Sequence, residues 1–419
     1  MTRIEVVTIG DELLLGFTID TNAAHLARTL AASGVEIVRR TTCGDSAESI
    51  ASAVREALER TGSVITTGGL GPTSDDLTKP SIAALFGRGM VLDEEHLAWM
   101  RERWATLFKR PMPESNRQQA MIPEGARKLR NNHGSAPGIW LEDERGRWVA
   151  MLPGVPREMR GMLADTLLPL VQERLGAERH VVRSRTLRTT GIGESNIAEL
   201  VKALPDGVGD VALAYLPNAD GTDLRLTVRG ATLDAADVRL AEGAARLRTV
   251  IGEYQYGEDG EDLAAVVLEL CLAHGLTIAV AESCTGGLLG ARLTAIPGSS
   301  RTVRGGVIAY HDEVKTGLLG VPAALIGQHG AVSEPVVRAM ATGARAAAGA
   351  DAAFGITGIA GPGGGTPDKP VGTVWVSLDV RGEVEARQLR LIGDRAEIRA
   401  RATQAALEML RRRLVAHQP

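Results

Sequence analysis

The amino-acid sequence predicts an α/β protein built around parallel sheets. Strand-like and helix-like segments alternate from residue 3 onward, and the same alternation restarts after residue 262. A strand–helix–strand succession at this spacing implies parallel strands joined by right-handed crossovers. Glycine supplies 49 of the 419 residues, well above its usual share of about 7%, whereas aromatic residues make up only 3%. This composition favours tight backbone turns around small polar ligands, and the length suggests two to three domains.

Charge and composition exclude several classes of protein. The 47 Lys and Arg residues against 51 Asp and Glu give a net charge of −4, which excludes a globally basic nucleic-acid binder. Four Phe, four Tyr and five Trp are too few for a base-stacking platform, so we expect no direct nucleic-acid partner. The N-terminus lacks the regions of a secretory signal, and no apolar run approaches the roughly 20 residues of a membrane span. With three widely spaced cysteines as well, we expect a cytoplasmic protein without membrane contact.

The first part of the chain predicts a parallel sheet with its loops on one edge. The predicted strands are 3–9, 35–39 and 64–67, and the predicted helices are 21–33 and 48–60. Ligands of such sheets lie beyond the carboxyl ends of the strands. The loops GDELLLG (10–16), TTCGD (41–45) and TTGGLGPTSDD (66–76) should therefore lie along one edge.

Two further units follow after residue 169. The first is a small α+β module with a strand at 184–190, a helix after Ser195, a strand at 223–229 and a helix around 235–249. Residues 252–260 are polar and turn-prone, which is typical of a linker. The last unit contains predicted helices at 262–274, 334–348 and 394–414, and predicted strands at 277–281, 306–309, 352–356, 372–379 and 384–391. A strand leads into AESCTGG (281–287), which opens a helix, and another leads into GITGIAGPGGG (355–365).

Ser283 lies in the predicted strand-to-helix turn AESCTGG. Backbone N–H groups at a helix start lack intrahelical partners and carry the positive end of the helix dipole. They can form an oxyanion hole beside a nucleophilic serine or bind a phosphate. The alternative is that Ser283 or Thr285 simply caps the helix.

A serine nucleophile needs a base, and Lys315 is the most noticeable candidate. Lys315 and Lys369 are the only lysines after residue 260, and Lys315 comes five residues after Tyr310 beyond the strand in GGVIAYHDEVK. A lysine whose pKa is lowered by burial can act as the base. The alternatives are His311 as the base, Cys284 as a competing nucleophile, and a lysine that is merely exposed at the surface.

Five carboxylates on the N-terminal edge favour a metal site, namely Asp11, Glu12, Asp45, Asp75 and Asp76. Hard oxygen ligands beside a phosphate site suit Mg²⁺ or Mn²⁺, and Co²⁺ is a further candidate. Glycines 68, 69 and 71 at a strand end suit phosphate binding. The alternative is that each acid caps a helix, as Asp45 or Ser46 could do before the helix at 48–60.

Six C-terminal motifs resemble one family. AESCTGG, GGVIAYHDEVK, HGAVSEPV, GITGIAGPGGG, KPVGTVWVS and GDR occur in this order over about 255–417, as in the nicotinamide mononucleotide deamidase family, the C-terminal half of CinA proteins. The resemblance implies an α/β deamidase domain that hydrolyses the substrate carboxamide and needs no cofactor. It implies Ser283 as the nucleophile, Lys315 as the base, and Tyr310, Thr357 and Arg395 or Arg399 as further site residues. Substrate-binding groups would include Cys284, Thr285, Gly286, Gly287, Gly358 and Gly361, with the amides of 284–287 holding the oxyanion.

The N-terminal motifs are similar to the molybdopterin-binding fold and to the CinA N-terminal domain. This resemblance implies a metal-dependent ADP-ribose pyrophosphatase that forms AMP and ribose 5-phosphate. Its implied ligand-binding residues are Gly68, Gly69, Gly71, Asn116, Arg117 and Arg157. The loop NNHGSAPG (131–138) departs from the expected pattern at Asn132-His133, which leaves its contacts open.

The predicted domains are 1–172, molybdopterin-binding-like; 173–254, a connector; and 255–419, the deamidase. The leading interpretation is a bifunctional enzyme that recycles pyridine nucleotides, with nicotinamide mononucleotide and ADP-ribose as its small-molecule partners, and we expect a homodimer. Two alternatives remain. The N-terminal domain could bind a pterin or nucleotide without turnover, or the protein could be a competence or DNA-damage accessory that acts through protein partners.

Overall fold

A computed structural model describes residues 2–175 and 181–416. They form two compact units. One comprises the residues up to Arg183 together with Val228–Val238, and the other comprises Ser184–Thr227 and the residues after Val238. Parallel strands and helices alternate in both units, so the predicted α/β class is confirmed. None of the described helices is both long and apolar enough to cross a membrane.

The first unit follows the predicted order of strands and helices. Its elements are β1 (Thr2–Ile9), α1 (Asp11–Leu14), α2 (Thr21–Ala32), β2 (Val35–Cys43), α3 (Ala47–Thr61), β3 (Ser63–Thr67), α4 (Thr78–Leu85), β4 (Met90–Leu92), α5 (Glu94–Phe108), a 3-10 helix (Glu114–Ala120), β5 (Met121–Pro123), β6 (Arg127–Leu129), β7 (Gly138–Glu142), β8 (Trp148–Leu152), α6 (Pro156–Met162), a π-helical turn (Leu163–Leu167) and α7 (Leu168–Leu175). Strand β2 runs on to Cys43, beyond its predicted end at residue 39, because it pairs with β1 along its whole length.

One six-stranded sheet organises this unit, in the order β2-β1-β3-β8-β7-β6. The first four strands are parallel, whereas β7 runs antiparallel to both β8 and β6. Both faces of the sheet are buried, since adjacent residues such as Val6 and Val7 belong to separate apolar clusters. The carboxyl ends of the parallel strands bring three predicted loops, 10–16, 41–45 and 66–76, to one edge.

The remaining elements lie in the second described stretch, which begins at residue 181. They are β9 (Val181–Thr189), α8 (Glu194–Lys202), β10 (Ala212–Pro217), β11 (Thr222–Ala231), α9 (Leu233–Ile251), β12 (Gln255–Glu258), α10 (Leu263–Ala273), β13 (Ile278–Glu282), α11 (Leu288–Thr294), a 3-10 turn (Ser299–Arg301), β14 (Val303–Ile308), α12 (Asp312–Leu319), α13 (Ala323–His329), α14 (Glu334–Ala348), β15 (Ala352–Gly358), β16 (Thr373–Val380), β17 (Glu383–Arg390) and α15 (Arg395–Val415).

The segment predicted as a linker contains a strand. Within residues 252–260, strand β12 pairs antiparallel with β9 and forms the edge of a four-stranded sheet ordered β10-β11-β9-β12. The turn-rich composition concealed it because the strand is only four residues long and pairs with a segment distant in sequence.

A five-stranded sheet, ordered β14-β13-β15-β16-β17, carries the C-terminal motifs. Strands β14, β13 and β15 are parallel, and β16 and β17 are antiparallel additions. Apolar clusters cover both faces, one centred on α10 and α15 and the other on α14. Helices α12 and α13 were not predicted, and α12 changes the setting of Lys315.

Candidate active sites

Ser283, Tyr310 and Thr357 lie at the ends of three adjacent parallel strands. Ser283 follows β13, and its N–H donates to the carbonyl of Ile356 in β15 at 2.9 Å. On the other side, the Ala309 N–H donates to the Glu282 carbonyl at 2.7 Å, which places Tyr310 beside the end of β13. The strand-end rule thus brings together three of the residues predicted for this site.

The side chain of Glu282 binds the N–H groups at the start of helix α11. Its fully buried carboxylate accepts hydrogen bonds from the N–H groups of Gly287, Leu289 and Gly290 at 2.8–3.1 Å. A carboxylate stabilises the positive end of a helix dipole and satisfies its unpaired donors. Sequence reasoning missed this role.

This arrangement corrects the predicted oxyanion hole. Helix α11 begins at Leu288, so Thr285–Gly287 precede it instead of opening it. The Gly286 N–H already donates to the Ser283 carbonyl and the Gly287 N–H to Glu282. Among the described residues, the Thr285 N–H donates no hydrogen bond and the buried Thr285 hydroxyl has no partner. Available donors next to Ser283 are therefore fewer than the sequence suggests.

Ser283 itself is a better nucleophile candidate than Cys284. No hydrogen bond to its hydroxyl is formed by the residues that the structure describes, and the side chain retains a small exposed fraction. Burial, together with the charge of Glu282, raises the pKa of the Cys284 thiol to about 12. The thiol therefore stays protonated near neutral pH and is a poor nucleophile.

Lys315 lies in helix α12 and not in a turn after the strand. Its side chain is 1% exposed, and its Nζ donates to Asp312 Oδ1 at 3.0 Å and to the Tyr310 carbonyl at 3.3 Å. In the described chain no hydrogen bond joins Lys315 to Ser283, because Nζ is directed to these two oxygens. Asp312 was not predicted as a site residue.

Both candidate arginines reach the site from the first turns of α15. Arg395 donates to the Gly361 carbonyl at 2.7 Å and to the Tyr310 hydroxyl at 3.0 Å. Arg399 donates to the Thr285 carbonyl at 2.6 Å. A capping box formed by Asp394 and Glu397 fixes the start of the helix. The sequence left open which arginine belongs to the site, and in the structure both arginines contact residues of the site.

The other C-terminal candidates anchor a loop, cap a helix or end a strand. The buried Thr357 hydroxyl donates to the Ala331 carbonyl at 3.0 Å, which anchors the loop before α14. His311 is exposed and caps α12, because its Nδ1 accepts from the Glu313 N–H. Gly358 ends β15, and Gly361 supplies the carbonyl that Arg395 binds.

The N-terminal unit has a cavity of about 470 Å³ beyond the carboxyl ends of β1, β3 and β8. Gly68, Gly69 and Gly71, the glycines predicted to bind phosphate, line it. Gly68 has φ of +112°, and a Cβ there would lie 2.2 Å from the Ile9 carbonyl oxygen, so only glycine fits.

The lysine, arginine, aspartate and glutamate side chains that line this cavity, among the described residues, are all acidic. Its lining contains six carboxylates and, within the described chain, no lysine or arginine; the acids are Glu12, Asp20, Asp45, Asp75, Asp76 and Glu158. No three His, Cys, Asp or Glu side chains among the described residues are grouped closely enough to hold a metal alone. Mg²⁺ often uses only one or two carboxylates together with substrate phosphates, so these acids fit a metal that arrives with its substrate.

The predicted acidic residues differ in what their carboxylates contact. Asp76 accepts hydrogen bonds from the Gly71 N–H, the Thr73 N–H and the Thr73 hydroxyl, so it shapes the loop. A hydrogen bond from the Thr73 side chain lowers the pKa of Asp75, which is exposed and stays ionised. Asp11 lies outside the cavity lining; its N–H donates to Asp45 Oδ2 at 3.0 Å. Ser46, and not Asp45, caps α3.

Three predicted contacts are not brought to the cavity. Asn116, Arg117 and Arg157 are absent from its lining, and Arg117 lies 3.8 Å from Glu114 at the surface. Asn22, which sequence reasoning missed, lines the cavity instead. Its Nδ2 donates to Thr67 Oγ1 and to the Gly154 carbonyl, and its buried Oδ1 has no partner among the described residues.

Comparison with known proteins covers nearly the whole chain. Three family models match: "Probable molybdopterin binding domain" at residues 5–173, "Damage-inducible protein CinA KH domain" at 184–257 and "CinA C-terminal domain" at 260–414. A CinA-like protein of Gemmatimonas aurantiaca is 65% identical over 98% of this chain and 96% of its own length. CinA-like proteins of Gloeobacter violaceus and Chlorobaculum tepidum are 45% and 41% identical over 98% of this chain, and over 96% and 98% of their own lengths. The chain therefore belongs to the CinA family.

Proposed function

We propose that the C-terminal site hydrolyses the carboxamide of nicotinamide mononucleotide and releases ammonia. The observation that carries the proposal is the position of Ser283. Its hydroxyl, which has no hydrogen-bond partner among the described residues, lies at the end of the central strand β13, and the helix after the neighbouring strand β14 carries the buried Lys315. Arg395 connects the two other sides of the site, Tyr310 and the glycine loop at Gly361.

The chemistry follows from nucleophilic catalysis by serine. Ser283 Oγ attacks the carboxamide carbon, and Lys315 in its amine form accepts the hydroxyl proton. The N–H groups of Cys284 and Thr285, which donate no hydrogen bond among the described residues, would stabilise the oxyanion. Lys315 returns the proton to the leaving nitrogen, the C–N bond breaks and ammonia departs. Water then attacks the acyl ester, which frees nicotinate mononucleotide and restores the serine hydroxyl.

The direct test is ammonia release from nicotinamide mononucleotide by the full chain. We expect Ser283→Ala to abolish the activity, whereas Ser300→Ala, at an exposed position, should match the unchanged protein. Cys284→Ala should retain most of the turnover, since the thiol stays protonated. Full turnover by Ser283→Ala would exclude the serine mechanism.

We further propose that the N-terminal site cleaves ADP-ribose into AMP and ribose 5-phosphate with a divalent metal. The observation behind this is the lining of six carboxylates without a lysine or arginine among the described residues. A diphosphate would be repelled from such a cavity unless cations accompanied it. One or two of Glu12, Asp45 and Asp75 would hold the metal together with the substrate phosphates, and the bound metal would neutralise the diphosphate and activate water.

This second activity is tested by measuring AMP formation from ADP-ribose. We expect turnover with Mg²⁺ or Mn²⁺ and none with excess chelator. If no metal supports turnover while the nucleotide still binds, the N-terminal unit is a binding module. That outcome leaves the C-terminal proposal unaffected, because the ammonia assay is separate.

A further inference from the structure

A second cavity in the C-terminal unit is unrelated to either proposed active site. It measures about 710 Å³, within the range of about 300–1,000 Å³ that is typical of small-molecule sites. The loop Thr190–Glu194, strands β16 and β17, and helix α15 form its walls. None of the described residues that we assign to the deamidase chemistry lines it.

Gln404 is an unsatisfied group in the wall of this cavity. The residue is 3% exposed, and neither Oε1 nor Nε2 has a hydrogen-bond partner among the described residues. Buried amides are normally paired, because leaving one unpaired is costly. An occupant that offers one donor and one acceptor side by side would satisfy both atoms.

Helix α15 presents a continuous stripe to the cavity. Arg401, Gln404, Glu408 and Arg412 lie three or four residues apart and all line it. Glu408 is already paired with Arg411 and Arg412 at 2.6 Å, which offsets its negative charge. Arg401 uses one nitrogen for the Ile392 carbonyl, and its other donors have no partner among the described residues.

The loop before α8, which lies against Arg412 of α15, offers contacts for a phosphate. Residues Gly191-Ile192-Gly193 precede helix α8, and the N-cap Gly193 supplies no side-chain cap to the first N–H groups. Gly191 has φ of +75°, and Arg412 Nη2 lies 3.3 Å from where its Cβ would be. A glycine loop at a helix start has backbone N–H donors for a phosphate, and Arg412, although paired with Glu408 and Glu253, has its guanidinium beside this loop.

We propose that this cavity binds an adenine nucleotide. A glutamine amide pairs with the N6 donor and N7 acceptor of adenine, so the base would contact Gln404. The phosphate would contact the loop before α8 and Arg412. Tyr254, Leu389 and Leu391 supply apolar wall beside the base.

Hydrogen–deuterium exchange on the full chain tests this with AMP as the probe. We expect AMP to slow exchange in peptides covering 188–203 and 401–412. The apparent dissociation constant for this protection should be at least tenfold lower for AMP than for ribose 5-phosphate or adenosine. Local protection separates this site from any AMP bound in the N-terminal cavity. Ammonia release is measured in parallel, so that failure of the proposed deamidase activity remains distinguishable.

Gln404→Leu removes both amide atoms while keeping the volume, and replacing an unpaired amide should not impair folding. We expect it to weaken AMP protection of these peptides about tenfold to a hundredfold. Gln388→Leu is the matched control, since Gln388 is an exposed residue of β17 outside the lining, and it should leave protection unchanged. Equal protection in Gln404→Leu, no protection by AMP, or equal protection by ribose 5-phosphate would overturn the proposal.

Discussion

Lys315 Nζ lies 3.0 Å from Asp312 Oδ1, one helical turn away in α12. The lysine side chain is almost fully buried, whereas the Asp312 side chain is about half exposed at 51%. Hydrogen bonds to Asp312 and to the Tyr310 carbonyl fix the position of the buried Lys315 nitrogen. Asp312 therefore holds the Lys315 nitrogen at the end of the strand that precedes it, next to the carbonyl of Tyr310. We assign Asp312 as a positioning residue for the proposed base.

Asp312→Asn should lower kcat for ammonia release by about a hundredfold, because small misplacements of a catalytic group have effects of this size. Lys315→Met should cost more, about 10²–10⁴-fold, through loss of the proton acceptor. Glu313→Gln, at the exposed neighbouring position, is the control and should behave like the unchanged protein. A purely structural role would instead lower the amount of folded protein while the kcat per active site and its pH profile stayed the same.

Arg395→Lys should weaken substrate binding more than it slows chemistry. The guanidinium donates to the Tyr310 hydroxyl and the Gly361 carbonyl through two different nitrogens, a geometry that a single ammonium does not reproduce. We expect KM for nicotinamide mononucleotide to rise about tenfold, the size of one lost charged hydrogen bond. Steady-state kinetics with Arg304→Lys as the control checks this. An unchanged KM would show that the arginine does not order the substrate site.

Asp75→Asn and Asp76→Asn should differ although the residues are adjacent. Asp75 is exposed at the N-terminal cavity, so its substitution should raise the metal concentration needed for half-maximal AMP formation without altering stability. Asp76 holds the Gly71 and Thr73 N–H groups, so Asp76→Asn should destabilise the loop by about 1–3 kcal/mol. Metal titrations and thermal unfolding of both variants distinguish the two roles. Identical behaviour of the two variants would contradict this assignment.

The sequence predicted the positions of Ser283 and Thr357 well because both lie at the carboxyl ends of buried strands with clear periodicity. It did not predict Asp312 or Glu282. Their roles depend on side-chain directions, and α12 starts only four residues after β14 ends. Arg117 and Arg157 were predicted as ligand-binding residues from the resemblance of their motifs to the family, but both lie outside the cavity lining. A motif identifies the residues near a site but does not determine which way each side chain points.

The fold was easier to predict than its short elements. Long amphipathic helices such as α14 were predicted with their observed bounds because their apolar spacing is local. Strand β12 was missed because its stability comes from pairing with β9, which no local pattern records. The same limitation applies to Lys79, whose burial becomes visible only in the folded unit.

Lys79 is 1% exposed, and its Nζ donates to the carbonyls of Gln118 and Gln119 at 2.8 and 3.1 Å. Burial lowers its pKa from 10.5 to about 8, against the opposing attraction of Asp76. Between these two values the unfolded chain binds more protons than the folded one, so the contribution of Lys79 to stability rises with pH. Below about pH 8 Lys79 is protonated in both the folded and the unfolded chain, and burial of its charge lowers the stability of the fold. This loss is fully removed above about pH 10.5, where Lys79 is deprotonated in both states.

Lys79→Met should therefore flatten the pH dependence of stability of the N-terminal unit. The free energy of unfolding of the unchanged protein should increase, relative to Lys79→Met, by up to about 3 kcal/mol between pH 8 and 10.5. Tryptophan fluorescence reports this unit, since four of the five tryptophans (Trp99, Trp104, Trp140 and Trp148) lie in it. Lys109→Met, at an exposed position, should leave the pH profile parallel to that of the unchanged protein. A parallel profile for Lys79→Met as well would mean that Lys79 remains charged in the fold, with its two carbonyl partners compensating for burial.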